Sequence, residues 1–139
     1  MSRFVLDASV VLTWCFPDEN TNFASHIATL FKQGDTAIVP ALWAHEVLNA
    51  LLMGEKRKRI SMELVQSFVN DLARLPVALQ QTSADTVFDR VQRLSREYSL
   101  TAYDAAYLDL ALDSGLPLAT LDEDLASAAR KARVRLVQP

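Results

Sequence analysis

Four carboxylates of this 139-residue chain lie beside or inside apolar stretches: Asp7, Glu46, Asp104 and Asp122. Asp7 interrupts "FVLDASVVL", and Asp104 sits in "LTAYDAAYLDLA". Glu46 has Leu42, Trp43, Asn49 and Ala50 at helical spacings of three and four, and Asp122 follows "LPLATL". Hard oxygen donors of this kind suit Mg²⁺ or Mn²⁺ better than a softer ion. Bare, four carboxylates gathered in one place repel one another. A divalent cation relieves that repulsion and activates a water for attack on a phosphodiester. Other ways of handling phosphate are missing, because Gly34, Gly54 and Gly115 stand too far apart for a P-loop or a GxGxxG turn. A triad hydrolase is disfavoured too: there is no G-x-S-x-G elbow, and His26 and His45 have no matching Ser or Cys signature.

Each acid also has a simpler role open to it. Asp7 and Asp122 precede helical stretches and can act as N-caps worth ~1 kcal/mol apiece. Thr101 and Asp104 are spaced as a capping box, although Asp is shorter than the usual Glu. Glu46 is past the first turn of its helix, so its competing role is that of a surface acid with its head in solvent.

The elements that must position these acids alternate between short β-rich runs and longer amphipathic ones. "RFVL" (3–6), "TAIV" (36–39), "VALQQ" (77–81), "LPLAT" (116–120) and "VRLV" (134–137) read as five strands. Between them fall a short helix ending near Pro17, "FASHIATLFKQ" closed by Gly34, and a long helix from Ala41 into "EKRKR". "MELVQSFVNDLARL" capped by Ser61, "ADTVFDRVQRLSREY", the helix after Thr101 and one from about Glu123 complete the set. Such alternation predicts an α/β fold, three-layered α/β/α, with a parallel five-stranded sheet. Asp7 and Asp122 then lie on the carboxyl edge, where open α/β sheets bind ligands. No repeat, low-complexity tract or linker divides the chain, which reads as one domain over 1–139.

With these residues in place, "VLDASVVLTW", "HEVLN", "LTAYDAAYLDLA" and "LATLDEDLASAA" resemble the four acidic motifs of PIN-domain ribonucleases, in particular the VapC-type toxins of toxin–antitoxin pairs. The resemblance spans nearly the whole chain. It implies that Asp7, Glu46, Asp104 and Asp122 are catalytic metal-binding acids, with Asp124 at a site where a further acid sometimes occurs. It makes Ser9 and Thr120 supporting hydroxyls. It further implies Mg²⁺- or Mn²⁺-dependent cleavage of RNA, a homodimer, and inhibition by a small antitoxin protein. The alternative is a non-catalytic PIN-like or receiver-like binding module. The receiver is disfavoured because the third strand ends in Gln81 and Thr82 rather than in an acceptor Asp.

A net charge of −3 weighs against a nucleic-acid partner held by charge alone. Lys56, Arg57, Lys58 and Arg59 nevertheless form a local basic cluster able to contact phosphate, although cations also suit the last turn of a helix. Tyr103 and Tyr107 can stack on bases or pack in the core. Asp109 and Asp113 are expected to be solvated, and Asp85, Asp89, Arg93 and Glu97 to form an exposed ladder. The single Cys15 excludes a disulfide framework, no run reaches the ~18 apolar residues of a membrane span, and no cleavage site follows the first apolar run. A cytoplasmic protein is expected.

Overall fold

The computed structural model describes residues 2–19 and 21–138. The chain runs β1 (Arg3–Leu6), α1 (Ala8–Cys15), a 3-10 turn (Pro17–Glu19), α2 (Asn22–Lys32), β2 (Thr36–Pro40), α3 (Leu42–Lys56), α4 (Met62–Leu72) and β3 (Val77–Gln80). It continues through α5 (Ala84–Thr86), a π-helical turn (Val87–Val91), α6 (Gln92–Tyr98), α7 (Ala102–Ser114), β4 (Leu118–Ala119) and α8 (Glu123–Lys131). Local chemistry sets many of these bounds. The hydroxyls of Thr21, Ser61 and Thr101 accept the amides of Ala24, Leu64 and Asp104 at 3.1 Å each, capping α2, α4 and α7. Gly34 after α2 has φ 98°, the left-handed backbone that a residue without Cβ adopts readily.

All strand pairs are parallel, in the order β3-β2-β1-β4. Phe4, Val5 and Leu6 are all buried, so β1 has no solvent face, as expected for a central strand covered on both sides. From β1 to β3 the chain moves one way across the sheet, and from β3 to β4 it returns to the other side of β1. Right-handed crossovers therefore place the intervening helices on opposite faces. Accordingly α1 to α4 pack among themselves, while the π turn, α6, α7 and α8 form a second layer. The strand order reverses between β1 and β4, which makes the gap beyond their carboxyl ends the topological switch point.

Two expectations need correction. The fifth strand does not form: Leu136 makes one isolated parallel bridge to Leu118, with Leu118 N–H to Arg135 O and Val137 N–H to Leu118 O both at 2.9 Å. The reason lies in the flanks. Leu116 spends its N–H on Ala111 O at the end of α7, and Arg133, at φ 63°, is still closing α8. Only one register position is left to pair. Asp109 is not solvated but buried, its carboxylate bound by Arg90 Nε at 3.0 Å and Nη2 at 3.1 Å. Asp113 remains exposed, with Arg90 Nη1 at 3.5 Å. The stretch from Ala84 to Tyr98 is helical as expected, but with a π turn whose wider winding carries Val91 into the core and Arg90 onto α7. Among the described residues no helix is long and apolar enough to cross a membrane.

Candidate functional site

At the switch point the first acid is held by a chain of hydroxyls. Asp7 leaves β1 with extended backbone and is buried, yet its side chain makes no cap bond to α1. Instead its Oδ2 accepts from Ser9 Oγ and from Thr120 Oγ1, both at 2.7 Å. Ser9 Oγ in turn accepts from Leu121 N–H at 3.0 Å, and Thr120 Oγ1 from Asp122 N–H at 3.0 Å. These bonds tie the end of β1 to the end of β4. They also fix each hydroxyl rotor, because an oxygen that accepts from a backbone amide directs its own proton elsewhere. Asp7 is the capping candidate whose cap does not exist.

Asp122 does cap: its Oδ1 accepts from Leu125 N–H at 3.0 Å and starts α8. The two roles are compatible, since a carboxylate has a second oxygen free for other work. Asp104 lies at the third position of α7, where its amide, not its carboxyl, completes the cap to Thr101. Glu46, half-buried in the second turn of α3, receives a hydrogen bond from the Tyr107 hydroxyl at 2.5 Å on Oε1. That bond joins the two helical layers.

These acids lie within reach of one another's charge. Burial raises the Asp104 carboxyl to about 6, and Asp122, Asp7, Glu46 and Asp124 push it the same way. Burial also raises Asp7, opposed by its bonds from Thr120 and Ser9 and reinforced by Asp122. Glu46 is raised by burial, opposed by the Tyr107 bond and reinforced by Asp7. Burial and the Glu46 carboxylate hold the Tyr107 hydroxyl far above the usual phenol range, so it remains a donor. Asp124 is exposed and takes part only as a contributor to the field at Asp104.

Among the described residues no three acidic, His or Cys side chains form a ready-made metal cage. A loose, all-oxygen set fits Mg²⁺ or Mn²⁺, since Mg²⁺ keeps several waters and typically takes one or two carboxylates. It does not suit a tightly caged or soft ion.

The basic cluster lies elsewhere. α3 ends at Lys56, ten residues past Glu46, a separation of roughly 15 Å along the axis. Arg59 is already engaged, with Nη2 3.1 Å from Asp18 and 3.3 Å from Glu19 and its guanidinium 4.5 Å above the Phe16 ring. The ring comes so close to α3 that a Cβ on Gly54 would lie 2.8 Å from it. Lys56, Arg57 and Lys58 carry no such pairing among the described residues. The tyrosines divide: Tyr103 is 64% exposed, whereas Tyr107 is fully buried. The link from Tyr107 to Glu46 was not read from the sequence. Its only trace there is the three-residue spacing from Asp104, which puts both side chains on one face of α7.

Set beside known proteins, residues 4–131 match the family model described as the PIN domain. Ribonuclease VapC3 of Pyrobaculum aerophilum is 29% identical over 124 residues, covering 89% of this chain and 92% of that protein. The crystal structure of PAE2754 from Pyrobaculum aerophilum resembles the chain with a TM-score of 0.71 and 23% identity, over 91% of this chain and 79% of that one. VapBC2 from Rickettsia felis, bound to a DNA fragment from its promoter, gives a TM-score of 0.68 and 13% identity, over 99% and 98%. The last two are likenesses of fold.

Proposed function

Because the chain belongs to the PIN-domain family, we propose that it is an endoribonuclease dependent on Mg²⁺ or Mn²⁺ and the toxin of a toxin–antitoxin pair. The observation that carries this reading is geometric: beyond the switch point Thr120 links Asp7 to Asp122, and Glu46 meets Tyr107, one helical turn from Asp104. Asp7, Glu46, Asp104 and Asp122 would hold the cation. When bound, it offsets the phosphate charge and lowers the pKa of a water.

The chain's own residues have separate tasks. Ser9 and Thr120 keep the Asp7 carboxylate in one orientation and moderate the cost of burying its charge. Asp104, with no side-chain bond among the described residues, is pushed toward its protonated form by burial and by its acidic neighbours, a repulsion that a bound cation would offset. The name of the Pyrobaculum ribonuclease supports RNA as the substrate. Lys56, Arg57 and Lys58, exposed and without an ion pair among the described residues, would meet the phosphate backbone, and Tyr103 would stack on a base. The Rickettsia felis neighbour, a VapBC pair, supports a small antitoxin as partner. Leu48, Leu52 and Met53, exposed along α3, support a protein interface there, whether with the antitoxin or with a second copy in a homodimer. The lone, buried Cys15 suits the cytoplasm.

Purified protein should cut single-stranded RNA when supplied with Mg²⁺ or Mn²⁺ and stop when EDTA is added. Glu46→Gln and Asp104→Asn should each abolish the cutting. Undiminished cleavage in EDTA, or none with either metal, overturns the reading.

A further inference from the structure

Three of the four acids have an oxygen held in place, and the holding groups differ in origin. Asp7 is gripped by two hydroxyls and Asp122 by the amide of Leu125, all from segments next to β1 or β4. Glu46 is gripped from the opposite helical layer, by a residue 61 positions away in sequence. Of its two oxygens only Oε1 is engaged among the described residues.

We propose that Tyr107 is a positioning residue of the acidic site, whose hydroxyl holds Glu46 Oε1 and so sets where Glu46 stands relative to Asp104. The proposal rests on the metal-dependent reading above. A glutamate has several rotatable bonds and, unrestrained, loses roughly 1.5–2 kcal/mol of rotamer freedom on being fixed. Glu46 is only half-buried, so solvent reaches the side chain at this turn of α3. The opposing constraint comes from a ring with no freedom of its own. Tyr107 is the largest fully buried side chain described, with no exposed surface. A buried phenol needs a partner, and a backbone carbonyl would satisfy it equally well. That the partner is a site carboxylate ties Glu46 to the rigid core. Because Asp104 and Tyr107 are on one face of α7, one helix supplies an acid and also locates the acid of another helix.

The test is Tyr107→Phe, which preserves the ring and removes only the hydroxyl. Mn²⁺ affinity by calorimetry should fall about ten- to a hundredfold, the usual effect of losing a group that orients a ligand. RNA cleavage should lose kcat with KM little changed. In a Glu46→Gln background the same substitution should cause no further loss of Mn²⁺ affinity, since Tyr107 acts only through Glu46. Glu46→Asp gives an arm that leaves the core untouched: it keeps the carboxylate but withdraws it one methylene from the hydroxyl, and it too should lose Mn²⁺ affinity. If Tyr107→Phe melts lower but binds Mn²⁺ and turns over like the parent, or if Glu46→Asp binds like the parent, Tyr107 is structural only. Wild-type protein that binds no Mn²⁺ removes the metal-dependent reading itself, an outcome distinct from wild type and variant binding alike.

Discussion

At Asp104 the backbone and the side chain do different jobs: the amide closes onto Thr101 while the carboxyl feels the charge of four other acids. Asp104→Asn therefore leaves the cap intact and removes one charge from a repulsive cluster. In EDTA the variant should melt above the parent by a few degrees, since relief of about 1 kcal/mol corresponds to roughly 2–5 °C for a domain of this size. Solvent screening of a partly exposed group keeps the gain at that modest level. The pH dependence has a definite sign. Folded, Asp104 keeps its proton up to about 6, whereas its ordinary value is 3.8. Between those values the folded state binds more protons than the unfolded chain, so stability rises as pH falls through 6 and declines as pH rises through it. Asp7 and Glu46 are shifted in the same direction and reinforce the trend. Melting the metal-free protein from about pH 5 to about pH 7.5 checks this, and Asp104→Asn should flatten the curve.

α7 is the element on which most of the proposed site depends. One face carries Asp104 and Tyr107, and Asp109 on the same helix is clamped by Arg90 of the π turn. Asp109 is buried, whereas the Arg90 side chain is 43% exposed, so the pair bridges core and solvent. Removing the arginine alone strands a buried carboxylate, while replacing both partners removes the charge as well as its partner. Arg90→Met should thus lower the urea midpoint more than the double change Arg90→Met with Asp109→Leu does. A single variant no worse than the double would show that the clamp carries no stability. Burial of Asp109 was not visible in the sequence because helical spacing gives a side chain's direction on its own helix but not what lies opposite.

For the whole molecule, the reversal of strand order decides where acids from distant segments meet. Asp7 and Thr120, 113 residues apart, touch because β1 and β4 are neighbours. A cation that binds this folded constellation and not the unfolded chain must stabilise the fold, by about 2.7 kcal/mol when present at a hundred times its Kd. Mn²⁺ titrated into the protein at near-neutral pH should raise the melting temperature progressively, and the gain should shrink in Asp104→Asn. The gain should also weaken toward pH 5, where protons compete for the carboxylates. A melting temperature indifferent to Mn²⁺ would contradict the proposed site.

Local rules carried much of the reading. The apolar run of β1, the hydroxyl caps at Ser61 and Thr101, and Gly34 beyond α2 act within a few residues, and the structure has them where the sequence predicted. The four acids were legible as candidates for chemistry because each stands in an apolar stretch at the end of a strand or in an early turn of a helix. Tertiary structure decided the rest, since the remaining features depend on partners remote in sequence. The missing cap at Asp7 goes with the bond its carboxylate takes from Thr120, 113 positions away. The fifth strand was lost because α7 and α8 claim the backbone on either side of its one pairing position. Arg59 was drawn from the basic cluster into pairing with Asp18 and Glu19, more than 39 positions earlier in the chain. Tyr107 met Glu46 because the sheet order brings α3 and α7, on opposite faces, together at its carboxyl edge. Periodicity reports the direction in which a side chain leaves its own element, and only packing determines what it meets.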